Sequence, residues 1–256
     1  ILYLIPLIII YYLLFIKINF SLLKIKISIK KFKQILKPCI QLTLVSVSGI
    51  ILLSSDIIIL GILSEPSSVS NYHIATKIAF VINLVLVSST SFYYGKSLKL
   101  FRQNNIKALR KQIYKVNFYT LIASILILIF IALTHNQLIK FLFYDVDTAI
   151  LKSLIFVLCF GQFINILFGY QGSLLLITRY RSTISYIFLF TLLFNIVISV
   201  LAFYIIGVFG VALITMLSTL LRVLLISYFF EKYYGFHPLS YIKFIFNFKN
   251  ISSLLK

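Results

Sequence analysis

Five carboxylates, 24 lysines and arginines, three histidines and two cysteines carry most of the reactive chemistry in these 256 residues. The carboxylates are scattered, and only Asp145 and Asp147 lie close together. Acid–base catalysis needs two titratable groups whose environments push them apart, and this sequence offers no such pair on one element. It carries no HExxH, no CxxC, no phosphate-cradling glycine loop and no GxSxG. Cys39 and Cys159 stand alone in apolar surroundings, without the spacing of a disulfide or metal framework. The chain therefore reads as a non-enzyme without cofactor or metal. What remains is the chemistry of binding. Asp56, Lys77 and Arg222 each fall inside a long apolar run, where an ionisable side chain is costly and so carries information.

The runs themselves dominate the composition. Hydrophobic residues make up 61% of the chain and charged residues 11%, with a mean hydropathy of +1.08. A soluble domain carries about 25% charged residues. The formal net charge of +19 would suggest nucleic acid in a soluble protein. Here the hydropathy decides for the membrane, where basic loops meet an anionic leaflet, and no nucleic-acid partner is expected. Seven stretches reach the roughly 20 apolar residues of a spanning helix: 1–16, 38–63, 71–95, 113–134, 150–172, 183–204 and 209–230. The fold class expected is all-α, a polytopic membrane bundle of about seven transmembrane helices plus one interfacial amphipathic helix.

Connections 17–37, 96–115, 178–182 and 231–256 hold most of the lysines and arginines, whereas 64–70, 135–149 and 205–208 hold only Lys140. The positive-inside rule makes the first set cytoplasmic, including the basic tail 231–256. Within 17–37, Leu22, Ile25, Ile29, Phe32 and Leu36 mark one helical face and Lys26, Lys30, Lys33 and Lys37 another. That pattern predicts a helix lying on membrane lipids, with Pro38 restarting the chain as a span.

Polar residues recur at helical spacing within five spans: Gln41, Ser48, Ser55 and Asp56; His73, Thr76, Lys77, Asn83 and Thr90; Gln162 and Asn165; Ser185, Asn195 and Ser199; Thr215, Ser218 and Arg222. Small and amide residues also serve plain helix packing. Asp56 and Lys77 sit at matching depth, about 10–12 Å below the outer surface on adjacent antiparallel helices, which predicts an ion pair. Arg222 lies too deep to snorkel, which predicts a water-filled cavity or an anionic partner around it.

Three blocks carry a family likeness. SSDIIILGILSEPSSVSNYHIATKIA at 54–79 resembles a hairpin of polysaccharide flippases, D-x-x-x-L-G followed by Y-x-x-A-x-K-I. LIKFLFYDVDTA from Leu138 and FGQFINILFGYQGSLLLIT from Phe160 resemble a later outer loop and the helix after it. FNIVISVLAFYIIGVFGVALITMLS at 194–218 is similar to the family's N-I-x-L-N and G-x-x-G-A-A-x-x-T hairpin, with Asn195, Gly207, Gly210, Ala212 and Thr215 in register. Ser91–Gly95 stands where the family carries a proline.

The resemblance, covering 1–230, implies the repeat-unit flippases of O-antigen and related polysaccharides, within the multidrug and oligosaccharide exporter superfamily. It implies that 1–16 is the last helix of a truncated N-terminal lobe, 17–37 the cytoplasmic linker and 38–230 a six-helix C-terminal lobe, with the rest of the first lobe missing. The function implied is translocation of lipid-linked oligosaccharide across a bacterial inner membrane by alternating access. Lys77, Arg222, Arg179, Arg181, Asn83, Gln162, Asn165 and Asn195 would then contact the substrate, and Asp56 would bind a coupling Na⁺ or H⁺. The alternatives are an ion-coupled antiporter of small molecules in the same superfamily, or a non-functional fragment.

Overall fold

The computed structural model describes residues 29–142, 148–178 and 180–242. Over these residues the chain is helical with no strand: α1 (Ile29–Leu63), α2 (Pro66–Arg102), α3 (Ile106–Leu142), α4 (Thr148–Phe168), the short α5 (Gln171–Ile177), α6 (Arg181–Ile206) and α7 (Val208–Tyr234). The chain divides into two compact units between Ile40 and Gln41. In the first, the described residues are the opening turns of α1, where Phe32, Leu36 and Ile40 form an exposed stripe. The span expected at 1–16, residues 17–28 of the interfacial helix, Arg179 and the tail from 243 onward lie outside the described residues.

Six helical segments are long and apolar enough to cross a membrane: Pro38–Leu63, Pro66–Arg102, Ile106–Thr134, Ile150–Phe168, Arg181–Ile206 and Val208–Tyr234. Their outward surfaces are as greasy as their contacts. Ile62, Phe92, Leu133 and Ile205 are each more than three-quarters exposed. Helices that are apolar all round belong in hydrocarbon, so this is an all-α membrane helix bundle.

Several helix ends differ from the sequence expectation: the connection expected over 96–115 is mostly helix, with α2 running to Arg102 and α3 starting at Ile106, and three further ends have a local cause. Pro38 does not restart the chain but lies inside α1. It removes one backbone hydrogen bond, and membrane helices tolerate that loss where neighbours re-satisfy the freed group. Helix α2 begins at Pro66 rather than near residue 71, with Glu65 extended ahead of it and Pro at its first turn. Proline suits that position because the missing N–H has no helical partner there. The span expected over 150–172 breaks at Gly169, whose φ of +67° only glycine adopts readily. Beside it Asn117 Oδ1 accepts the Tyr170 backbone N–H at 3.2 Å. By contrast, α2 runs unbroken past Gly95, where the flippase likeness lacks its proline.

The other turns are tight. Asn105 Oδ1 caps α3 by accepting the Ala108 N–H at 3.0 Å. A single residue, Gly207 at φ +73° and ψ −149°, links α6 to α7, a conformation essentially confined to glycine. At Gly210 the backbone of α6 comes so close that a Cβ would meet the Ala202 carbonyl oxygen at 2.5 Å.

Helix α2 packs against α3 and α4, α4 against α7, and α7 against α6, with α5 touching α2, α6 and α7. Two large apolar cores result, with a small third cluster of Ile164, Phe168 and Val223. One lies towards the 64–65 and 207 turns and includes Leu60, Tyr72, Ala75, Leu154 and Ala212. The other lies towards the 103–105 turn and includes Leu109, Ile113, Tyr170, Phe230 and Tyr241. Helix α1 makes no backbone pairing as close as these. From Gln41 onward polar side chains hold it instead: Gln41 Nε2 donates to Ser182 Oγ at 2.6 Å, and the Ser185 hydroxyl reaches the Gln41 carbonyl at 2.9 Å. This loose fit of α1 leaves room beside it for the site.

Candidate functional site

Two polar centres lie inside the bundle. The first is built around Asp56, buried on α1 at 4% exposure. Its Oδ2 accepts the Tyr72 hydroxyl at 2.9 Å and the Thr215 hydroxyl at 2.8 Å. Thr215 Oγ1 also lies 2.9 Å from the Val211 carbonyl, so its single proton serves one acceptor or the other. Next to Asp56, Ser55 donates to Asn195 Oδ1 at 3.2 Å, and Asn195 Nδ2 donates to Ser218 Oγ at 3.2 Å. Four helices are thereby stitched together through polar atoms. One oxygen of this seam, Asp56 Oδ1, is buried without a hydrogen-bond partner, as is Ser199 Oγ one turn beyond Asn195 on α6. A buried carboxylate oxygen left unsatisfied is costly. Among the described residues no three histidines, cysteines or carboxylates group as metal ligands, so the seam offers hard oxygen donors around one charge. Such a set suits an alkali cation or a proton.

The second centre is a cavity of about 380 Å³ between α1 and the faces of α2, α4, α5, α6 and α7. Its polar lining includes Asn83, Gln162, Asn165, Gln171, Ser173 and Arg222, and no carboxylate. Arg222 lies about 20 Å from either end of α7, at mid-depth of the span. Its guanidinium stacks 5.3 Å above the Phe188 ring, which screens one face without neutralising the charge. Asn165 Nδ2 points at Asn83 Oδ1 at 3.5 Å, at the limit of a hydrogen bond. Gln171 Oε1 is buried without a partner, while its Nε2 donates to Ser227 at 2.9 Å. The amides and the guanidinium can thus take up a ligand's oxygens. Thr215, Ser218 and Arg222 follow one another along α7, placing the cavity about 10 Å from the Asp56 seam.

Asn83, Gln162, Asn165 and Arg222, four of the substrate residues expected from the sequence, meet in this cavity. Asn195 instead lies fully buried in the Asp56 seam. Arg181 is half-buried at the start of α6, away from the cavity lining.

The ion pair expected between Asp56 and Lys77 does not form: Tyr72 and Thr215 hold the carboxylate, and Lys77 is exposed. The cause is the early start of α2 at Pro66. Counting from that turn, Tyr72 comes level with Asp56 and Lys77 falls deeper. Five residues also rotate Lys77 about 140° around the helix from Tyr72.

Tyr72, in the Asp56 seam, and Gln171, in the cavity lining, are members of the candidate site that sequence reasoning missed. Tyr72 counts as apolar in a hydropathy window, so its hydroxyl hides among its neighbours. Its signal was the distance from the Pro66 start. Gln171 sat at the expected end of a span and became part of α5 only through the Gly169 break. No family model, no curated protein and no solved structure matches the chain.

Proposed function

We propose that this chain is a lobe of an integral membrane flippase that moves polyprenyl-pyrophosphate-linked oligosaccharide across a bacterial inner membrane during polysaccharide biosynthesis. The observation that carries the reading is Arg222, a mid-membrane guanidinium in a cavity whose lining has four amides and, among the described residues, no carboxylate. A desolvated cation without an ionic partner favours an anionic guest. A pyrophosphate offers several oxygens to the guanidinium and amides together. The headgroup cannot cross about 30 Å of hydrocarbon unaided, so a polar path must open first to one side and then to the other.

Asp56 takes the role of coupling site for Na⁺ or H⁺, supported by its unpaired Oδ1 and its hydroxyl neighbours. Loading that site would alter the grip of α1 on α2, α6 and α7. The basic connections would face the cytoplasm, with the C-terminus inside, following the positive-inside rule. Lys77 drops out of the substrate path, because it is exposed and does not line the cavity. Arg181, at the mouth of α6, remains an anchoring cation.

A second reading, an ion-coupled antiporter of small molecules, is favoured by the cavity's size, since about 380 Å³ fits a drug-sized ligand. Translocation of a fluorescent lipid-linked saccharide in proteoliposomes of the full-length protein separates the two. Arg222→Ala is expected to lower the rate by about a hundredfold, the scale of losing one charge-assisted contact to a developing or buried anion, with Arg222→Lys intermediate. Wild-type rates in Arg222→Ala would end the flippase reading, and transport of organic cations instead of lipid-linked saccharide would establish the antiporter.

A further inference from the structure

On the lipid-facing side of the bundle, away from both polar centres, a groove of about 490 Å³ runs between α3 and α4. Its lining is apolar and aromatic, from Leu128, Ile129 and Ile131 on α3 to Phe156, Phe160 and Phe163 on α4. Cys159 is buried within it at 4% exposure, while Phe156 and Phe160 stand 72% and 50% exposed. Among the described residues one charged side chain belongs to the lining, Lys152, in the opening turns of α4 and exposed.

From Lys152 to Phe163 the helix rises about 16 Å. One leaflet of hydrocarbon is roughly 15 Å deep, half of the whole core. The groove thus has the length of a single lipid chain, is apolar along that length, and carries a cation at the end where the headgroup lies. A lysine that needed only to reach water could do so from any exposed face at this depth. Here it caps a recess.

We propose that the α3–α4 groove is a binding site for one anionic glycerophospholipid, its acyl chain along Phe156, Phe160 and Phe163 and its phosphate on Lys152. The inference rests on the membrane-crossing helices alone and is independent of the flippase reading. Packing of the chain against the aromatic rings gives contact, and the ammonium gives preference for an anionic headgroup over a zwitterionic one. One lysine near an anionic headgroup is worth about a fivefold preference.

The chain contains no tryptophan, so Phe160→Trp supplies a single fluorescent reporter in the groove. The full chain is reconstituted in bilayers containing acyl-brominated phosphatidylglycerol or acyl-brominated phosphatidylcholine, and quenching is followed against mole fraction. Half-quenching is expected at about fivefold less phosphatidylglycerol than phosphatidylcholine. Adding Lys152→Gln removes the difference and Lys152→Arg keeps it. A control, Phe190→Trp on the exposed face of α6, responds equally to both lipids.

Equal quenching of the Phe160→Trp reporter by the two lipids overturns the site, as does a preference that survives Lys152→Gln or recurs at residue 190. Absence of quenching by either lipid also overturns it, since protein would then cover the groove.

Discussion

Asp56 and Arg222 are both ionisable groups inside the membrane, about two helical turns apart in depth, yet their surroundings are opposite. Asp56 is enclosed: two hydroxyls donate to one of its oxygens, and four helices meet around it. Arg222 lies at a cavity wall with an aromatic ring on one face and amides across the space. Hydroxyl side chains meet the carboxylate, whereas the guanidinium meets a ring and the cavity. The contrast separates an enclosed, hydrogen-bonded carboxylate from a guanidinium that faces open space, although both looked alike as ionisable residues in apolar runs.

Removing each group tests that contrast most directly. Asp56→Leu removes the acceptor that Tyr72 and Thr215 share, leaving the Tyr72 hydroxyl only Thr215 Oγ1 at 3.1 Å and Thr215 only the Val211 carbonyl, a loss of about 2 kcal/mol. Arg222→Met deletes a charge that has no ionic partner among the described residues, so stability is expected to change by less than about 1 kcal/mol. Unfolding of each variant in mixed micelles measures both. Equal destabilisation by the two substitutions would erase the distinction. Asp56→Asn refines it further: its amide oxygen still accepts from Tyr72 and Thr215, so the fold keeps most of its stability while ion coupling is lost.

Tyr72→Phe probes the same enclosure with a smaller change. One hydroxyl is removed, the ring stays in the apolar core at 1% exposure, and Thr215 continues to donate to the carboxylate. Hydrogen bonds between membrane helices average about 0.6 kcal/mol and reach about 1.7. A loss near the upper figure is expected, because the acceptor is a carboxylate. No measurable change would mean that Tyr72 does not hold Asp56 in the folded protein.

How far the sequence revealed these two regions depends on what kind of signal each one sends. Asn83, Gln162, Asn165 and Arg222 are polar in long apolar runs, so they stand out, and the bundle brings all four to one cavity. Six of the seven expected spans were legible for the same reason, since hydropathy counts only length and greasiness. Helix ends depend on local chemistry that hydropathy averages away. The polar Ser64–Ser70 stretch reads as a loop, but Pro66 followed by serines is also how a helix starts, and α2 takes in everything from Pro66 onward. Misplacing that start by one turn moved Lys77 into the position Tyr72 occupies. The break after α4 had a visible cue in Gly169, yet only the fold supplies the Asn117 oxygen that fixes the turn.

Lys77 closes the comparison as a cation that belongs to neither region. It is exposed on α2, with no hydrogen bond or ion pair among the described residues. Exposed charges without partners contribute little to stability. Lys77→Gln is therefore expected to shift unfolding by less than about 0.5 kcal/mol and to leave translocation at the wild-type rate, in contrast to Arg222→Ala. The informative failure is a transport defect with unchanged stability. Lys77 would then act on a surface that the described residues leave open, and the path of the anion would run along the outside of α2 as well as through the cavity beside α1.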